Sequence, residues 1–396
     1  MANVSSSNGL EKRPKLRFPG FNEPYKQCRI GDIYAERSQR GASDMELLSV
    51  TMNDGVKPRS EIEGKDNSSE DKSNYKIVRK GDMVYNSMRM WQGANGISPC
   101  DGIVSPAYTV LMPKQEINNG YFAALFKSAT LINEFRKNSQ GMTSDTWNLK
   151  YPQIETIKIQ IPSVSEQDKV SELFGVLDAR IVAQVQMIEA LKKYKRGLLS
   201  QLIAQKKAFD TSGEWKTVKL GHIFKERTER AKGNEPLLAV TISSGVQRRD
   251  EIDLKDNSSD DKSNYKCVYI GDIAYNTMRM WQGASGVSPY NGIVSPAYTI
   301  VTPIRPDDHN MTFWAYYFKY SPLVQTFQKY SQGLTSDTWN LKFPQFSEIA
   351  VTMPPIYEQD KIAECLSAFD EHCKCEDEKL QALLQVRTSL LQQLFI

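Results

Sequence analysis

The sequence predicts an α+β protein: two tandem mixed α/β domains, each followed by a long helix, with the two helices forming an antiparallel coiled coil of pseudo-two-fold symmetry. Three observations lead there. A long segment recurs nearly unchanged in the second half, strand-like runs bounded by turn dipeptides fill each copy, and a heptad stripe closes each copy.

The repeat sets the frame. Residues 65–110 and 255–300 align without a gap at an offset of 190, and 34 of the 46 paired positions are identical. Both blocks contain KDNSS, DKSNYK, MRMWQGA and GIVSPAYT. The offset then becomes 192: TSDTWNLK recurs at 143–150 and 335–342, and EQDK at 166–169 and 358–361. A period this long marks duplicated domains rather than a solenoid of short repeats. The expected boundaries are a flexible tail over 1–17, a first domain over 18–162, a long helix over 163–207, a second domain over 208–354 and a second long helix over 355–396.

Strands come first in each copy. LLSVTM (47–52), KIVRKGDMVYN (76–86) and IVSPAYTVLM (103–112) have the β-rich composition, and Asp101-Gly102 and Asn291-Gly292 read as hairpin turns. A helix is expected over about 120–138, with Phe122, Leu125, Phe126, Ile132 and Phe135 on its apolar side. IETIKIQIP supplies a closing strand before the long helix.

The long helices carry the heptads. Val170, Phe174, Leu177, Ile181, Ile188, Leu191, Leu198 and Leu202 follow steps of three and four, and adding 192 gives Ile362, Leu366, Phe369, Cys373, Leu380, Leu383, Leu390 and Leu394. Polar residues interrupt both seams at matched places, Gln184 and Lys195 in one, Glu376 and Arg387 in the other. Ser165 and Asp168 suit a capping box at the first helix start. Lys192, Lys193, Lys195 and Arg196 meet Glu364, Asp370 and Glu371 only if the helices run antiparallel. Charges beside a seam set orientation more than stability.

Composition bounds the function. The 396 residues are 40% hydrophobic and 24% charged, as in a globular protein with real cores. No apolar run approaches the roughly 20 residues that cross a bilayer, and the first residues lack a secretory segment. The six cysteines, Cys28, Cys100, Cys267, Cys365, Cys373 and Cys375, follow no disulfide spacing, so a reducing cytoplasm is expected. A net charge of +3 argues only weakly for nucleic acid, so any such binding must use local clusters.

Two domains each followed by a long helix, EQ at the helix entrance, and the domain starts FPGF…IGDI (18–33) and EWKTVKLGHI (214–223) together resemble the specificity subunit of type I restriction–modification enzymes. The resemblance spans nearly the whole chain. It implies two target-recognition domains, each reading one half of a split sequence in double-stranded DNA. The helices would set the spacing and dock two methyltransferase subunits, with restriction subunits joining from outside. The chain itself would be non-catalytic, guiding adenine methylation and ATP-dependent cleavage by those partners. Members of the family commonly carry dissimilar recognition domains. Here the recognition blocks match at 34 of 46 positions and the helices, over 166–204 and 358–396, at only 12 of 39. Two equal half-sites in an inverted repeat are the expected consequence.

Three repeated segments hold the candidate DNA contacts. In the first, Asn86, Arg89, Trp91 and Gln92 recur as Asn276, Arg279, Trp281 and Gln282. Arginine pairs bidentately with guanine and glutamine with adenine, although methionine and tryptophan at such spacing are often core. In the second, Ser68, Ser69, Lys72, Asn74 and Lys76 recur as Ser258, Ser259, Lys262, Asn264 and Lys266, and suit phosphate and base-edge bonding. An ordinary surface loop has little reason to stay identical between copies. In the third, Thr143, Ser144, Asp145 and Trp147 recur as Thr335, Ser336, Asp337 and Trp339; an aspartate accepts from cytosine or caps a turn. Arg136, Lys137, Lys150, Lys319, Lys329 and Lys342 are candidate phosphate contacts, set against simple solvation.

Enzyme readings do poorly. There is no GxxxxGK[ST], no glycine-rich cofactor loop after a strand and no Asn/Asp-Pro-Pro-aromatic motif. Glu63-Gly-Lys65 and Asp253-Leu-Lys255 faintly resemble part of a nuclease site, but such triplets arise by chance. His222, His309 and His372 are scattered, and Cys373 fills a seam slot rather than a metal site. No cofactor and no metal are expected. Two other readings stay open: a stand-alone bipartite DNA-binding protein such as a repressor, and a protein–protein scaffold without DNA binding.

Overall fold

The computed structural model describes residues 13–41, 44–52, 55–64, 66, 68–209, 213–231, 235–242, 244–252, 258–259 and 261–396, with the backbone of 2–3. Residues 1 and 4–12 of the tail, Lys65, Asn67 and the stretch 253–257 lie outside the described residues.

Each copy builds a four-stranded antiparallel sheet. In the first the order is Tyr34–Glu36, Tyr108–Pro113, Met83–Asn86, Asn95–Ile97, and in the second Phe224–Glu226, Tyr298–Pro303, Ile273–Asn276, Ser285–Val287. The strand period of two sends alternate side chains to opposite faces. Met83, Tyr85 and Leu111 enter a large core with Tyr34, Phe122, Phe126 and Phe135. Val84 and Val110 enter a small one with Leu48, Val50, Val56, Val78 and Val104. The second copy repeats both cores around Phe224, Tyr275, Trp314 and Phe318, and around Leu238, Val240 and Val268. Two-stranded pairs complete each copy, among them Lys26–Arg29 with Lys158–Ile161 and Lys216–Lys219 with Ala350–Met353.

Several elements depart from expectation. The run 76–86 is two strands, Lys76–Val78 and Met83–Asn86, separated by a turn with Gly81 at φ +91°. Asp82 forces the break: it is 4% exposed, caps Arg79 N at 2.8 Å and pairs with Arg37. The helix over 120–138 is likewise two, Asn119–Leu125 and Ala129–Asn138, because Ser128 caps the second through Leu131 N. Asp101-Gly102 is not a hairpin turn, since Gly102–Val104 pairs with Lys76–Val78 instead of its neighbour. The glycine is there for close approach, as a Cβ would sit 2.6 Å from the Glu46 carbonyl. The tail ends earlier than residue 17: Leu16–Arg17 is a short strand and Arg17 is 7% exposed.

The long helices run Val164–Ile203 and Ile356–Gln393. The first begins at Val164, so Ser165 lies inside its first turn and the predicted capping box does not form. The EQDK tetrapeptide acts otherwise. Gln167 accepts from Asn118 N at 3.0 Å and donates to the Pro162 carbonyl at 3.1 Å, and Asp168 accepts from Asn118 Nδ2 at 2.7 Å. Gln359 and Asp360 repeat this on Asn310 and Pro354. Asn118 in turn caps Asn119–Leu125. The tetrapeptide therefore locks each long helix to the N-terminus of a short one, Asn119–Leu125 in the first copy and Met311–Tyr317 in the second.

The chain divides into two compact units: residues 1–185 with 378–396, and residues 186–377. In the first unit Phe174 stacks on Phe395 at 5.9 Å and Asp178 pairs with Arg387 at 2.6 Å, so one index rises as the other falls. In the second, Lys192 pairs with Asp377 at 3.6 Å and Lys195 with Asp370 at 2.5 Å. Both pairings are antiparallel. Glu364 is not among the partners; it pairs with Lys361 at 3.2 Å. Cys373 is buried in the seam at 6% exposure.

Candidate nucleic-acid interface

Two loops meet in each unit. The first follows the strand Met83–Asn86. Asn86 turns the chain by accepting from Met88 N at 3.0 Å through Oδ1, and a single 3₁₀ turn, Met90–Gln92, ends at Gly93 with φ +86°. Met90 is fully buried and pins the loop. The second loop closes where Gln140 and Asn148 exchange backbone hydrogen bonds of 3.0 and 2.8 Å. Gly141 enters it at φ +141°, where a Cβ would lie 2.6 Å from the Thr146 carbonyl. Thr146 Oγ1 bonds back to Thr143 N and O at 3.2 and 3.0 Å, so the polar run is a rigid hydroxyl-capped turn.

The loops are tied together. Leu149 N donates to the Ser87 carbonyl at 2.8 Å, and Trp91 meets Trp147 edge to face at 5.2 Å. The second copy repeats the tie, with Leu341 N on Thr277 O at 2.9 Å and Trp281 against Trp339 at 5.2 Å. Arg136 lies 5.8 Å over the Trp91 ring. Sequence reading treated these segments as separate candidates; the tertiary fold makes them one surface.

What that surface offers is specific. Arg89, Ser144 and Asp145 are exposed and Gln92 is half-buried; Arg279, Gln282, Ser336 and Asp337 are exposed. Among the described residues none of these eight side chains has a hydrogen-bond partner. Asn86, Asn276, Thr143 and Thr335 instead use their side chains within the turns. Trp91 and Trp281 are half-buried and commit their indole N–H to Met88 O at 3.1 Å and Met278 O at 3.0 Å. Trp147 and Trp339 are half-buried as their edge-to-face partners.

Three candidate lysines have other work. Lys76 is 7% exposed, pairs with Glu36 at 3.1 Å and donates to the Tyr108 carbonyl at 2.9 Å. Lys266 does the same with Glu226 at 3.2 Å and Tyr298 O at 2.8 Å. Both are corrected to sheet clamps, since each cation is neutralised beneath the surface. Lys319 is also withdrawn as a phosphate contact. Its ammonium bonds Ile242 O at 3.1 Å and Gly283 O, and burial, with Lys195 nearby, brings its pKa down to about 8. Lys137, by contrast, is exposed beside Glu134, and Lys150, Lys329 and Lys342 are exposed.

The DKSNYK loop explains its own invariance in part. Tyr75 OH accepts from Ser69 N at 3.1 Å, and Lys72 lies 5.1 Å over the Tyr75 ring while bonding Ser68 Oγ at 2.8 Å. Tyr265, Ser259 and Lys262 repeat the arrangement. A surface loop thus has a structural reason to stay identical, which the premise drawn from sequence left out. Asn74, Asn264, Ser69 and Ser259 remain exposed, and Ser258 is half-buried. Sequence reading also missed Met142 and Leu334, at the tips of the second loops, each 100% exposed. Their signal was one apolar letter inside an otherwise polar repeated run.

Comparison with known proteins agrees with this architecture. A family model described as the type I restriction modification DNA specificity domain matches residues 22–203 and again 212–385. A type I restriction–modification S subunit from M. genitalium superposes with a TM-score of 0.56 at 15% identity, over 97% of this chain and 99% of that one. A structure described as underlying complex assembly and conformational transition of the type I R-M system gives 0.58 at 14%, over 95% and 98%. Such identities establish likeness of fold, while the family model matches twice in succession and the two matches together cover most of the sequence. The chain belongs to the type I restriction–modification DNA specificity family and carries that family's domain in two copies.

Proposed function

We propose that this chain is the sequence-reading subunit of a type I restriction–modification complex, holding double-stranded DNA with the paired loops of each domain. One observation carries the reading: the same Arg–Gln–Ser–Asp set, exposed but for the half-buried Gln92 and without hydrogen-bond partners among the described residues, is rebuilt beside a Trp–Trp pair in both units. Arginine and glutamine pair bidentately with guanine and adenine in the major groove, and each such pair discriminates by about 1–3 kcal/mol. Exposed Lys137, Lys150, Lys329 and Lys342, with Arg136, suit the adjoining phosphates.

Two near-identical readers in one chain suit two equal half-sites, read as an inverted repeat around an unread spacer. Helices of roughly 60 Å, at about 1.5 Å per residue, leave surface for two methyltransferase subunits, and restriction subunits complete the complex in the cytoplasm. Catalysis is assigned to those partners. Among the described residues no helix is long and apolar enough to cross a membrane.

Mapping methylated adenines in cells with and without this chain is the test. A chain-dependent, symmetric split motif supports the reading. An asymmetric motif refutes the equal half-sites, and no chain-dependent motif refutes the function.

A further inference from the structure

We infer that Met142 and Leu334 are apolar wedges, which the two domains press against the base stack of bound duplex DNA. The inference rests on the DNA-reading face argued above and adds a mode of contact that polar readout does not supply.

Both side chains are 100% exposed, whereas among the described residues the next most exposed large apolar side chain, Val176, stands at 67%. Folding gains nothing from an apolar group held wholly in water. The loop is nevertheless built to hold it there. The Gln140–Asn148 bonds close the base, Thr146 caps the turn and Trp147 braces it on Trp91. In the other copy Gln332, Asn340, Thr338 and Trp339 do the same for Leu334.

The comparison between copies is the second observation. From Ser139 to Lys150 and Ser331 to Lys342, SQGxTSDTWNLK is identical except at x, which is Met in one and Leu in the other. The only position free to vary has stayed apolar. Ser144 and Asp145 follow it closely in sequence, and its loop is tied to the one that carries Arg89 through Leu149 N on Ser87 O and Trp147 on Trp91, so the tip belongs to the same pair of loops as the polar candidates. Methionine and leucine are among the residues that proteins insert between base steps, unstacking them and bending the duplex. Methionine's polarizable thioether suits contact with a ring face.

The test uses the full chain purified with its methyltransferase subunits and an end-labelled duplex that the wild-type complex selects from a random-sequence pool. M142A/L334A is expected to bind about tenfold more weakly per loop. The slope of affinity against salt stays unchanged, because an apolar contact releases no counterions. The donor–acceptor distance between the duplex ends should report less bending, the melting temperature should not move, and Met142→Leu should bind as wild type. Wild-type affinity and bend in the double variant overturn the wedge while leaving the reading face intact. So does unaltered DNA binding with lost co-purification of a methyltransferase subunit, which makes the tips protein contacts. A wild-type complex that selects no duplex defeats the DNA-reading assignment itself, and the wedge with it.

Discussion

Glu166 and Glu358 hold matched places at the starts of the two long helices, and the first of them binds a buried cation. Glu166 is 1% exposed and holds Arg17, 7% exposed, with bonds of 2.9 and 2.8 Å; Tyr25 OH adds a third at 3.3 Å. That bond raises the Arg17 pKa, so its charge persists at any practical pH. Glu358, its counterpart, accepts from the neutral Trp215 indole at 3.0 Å. Glu166→Gln leaves a buried guanidinium without its counter-charge, a loss of about 3–5 kcal/mol. Adding Arg17→Met to that variant removes the stranded charge as well and should bring the cost down to about 1 kcal/mol. At roughly 2–4 °C per kcal/mol for a unit of this size, the first variant should melt roughly 6–20 °C lower and the second only a few degrees lower. Scanning calorimetry of the full chain distinguishes the variants. Equal shifts would refute the reasoning, since they would mean the Arg17 charge is not desolvated.

The remaining expectations concern the interface and its supports. Arg89→Ala and Arg279→Ala should each weaken specific DNA binding by about 1–3 kcal/mol without lowering the melting temperature; anisotropy titrations alongside melts check both. Lys76→Met and Lys266→Met should instead destabilise their units, because each strands a glutamate and a carbonyl, while the salt slope of DNA binding hardly changes. Lys319 gives a pH signature. Below pH 8 its ammonium is charged in both states and the folded state carries the burial cost. From about 8 to 10.5 the native protein loses that proton first, so this group's contribution to stability rises with pH by about 3 kcal/mol. Melting curves across that window should rise more for wild type than for Lys319→Met, and parallel curves would contradict the assignment.

Much of this was legible from the chain alone. The duplication announced two like domains, and heptads with polar markers announced long helices and their antiparallel sense, because charge complementarity depends only on residue order. Element breaks were less legible. Asp82 and Ser128 look like surface letters in sequence, yet one is buried against Arg37 and the other caps a helix, and each divides an element that hydrophobic patterning ran together. The site was read as three segments. That Trp91 and Trp147, far apart in sequence, meet at 5.2 Å is a fact about packing which no local pattern carries.

Lys76, Lys266 and Lys319 show the limit most directly. A lysine in a polar repeat reads as a solvent-facing cation, and only the folded sheet reveals a carboxylate or carbonyls waiting for it. The compact units are decided at the same level. By sequence the repeats are tandem, but residues 378–396 belong with the first unit and 186–203 with the second. A heptad stripe states that a helix must bury one face. Which domain's core receives the far end of that helix depends on where antiparallel packing delivers it.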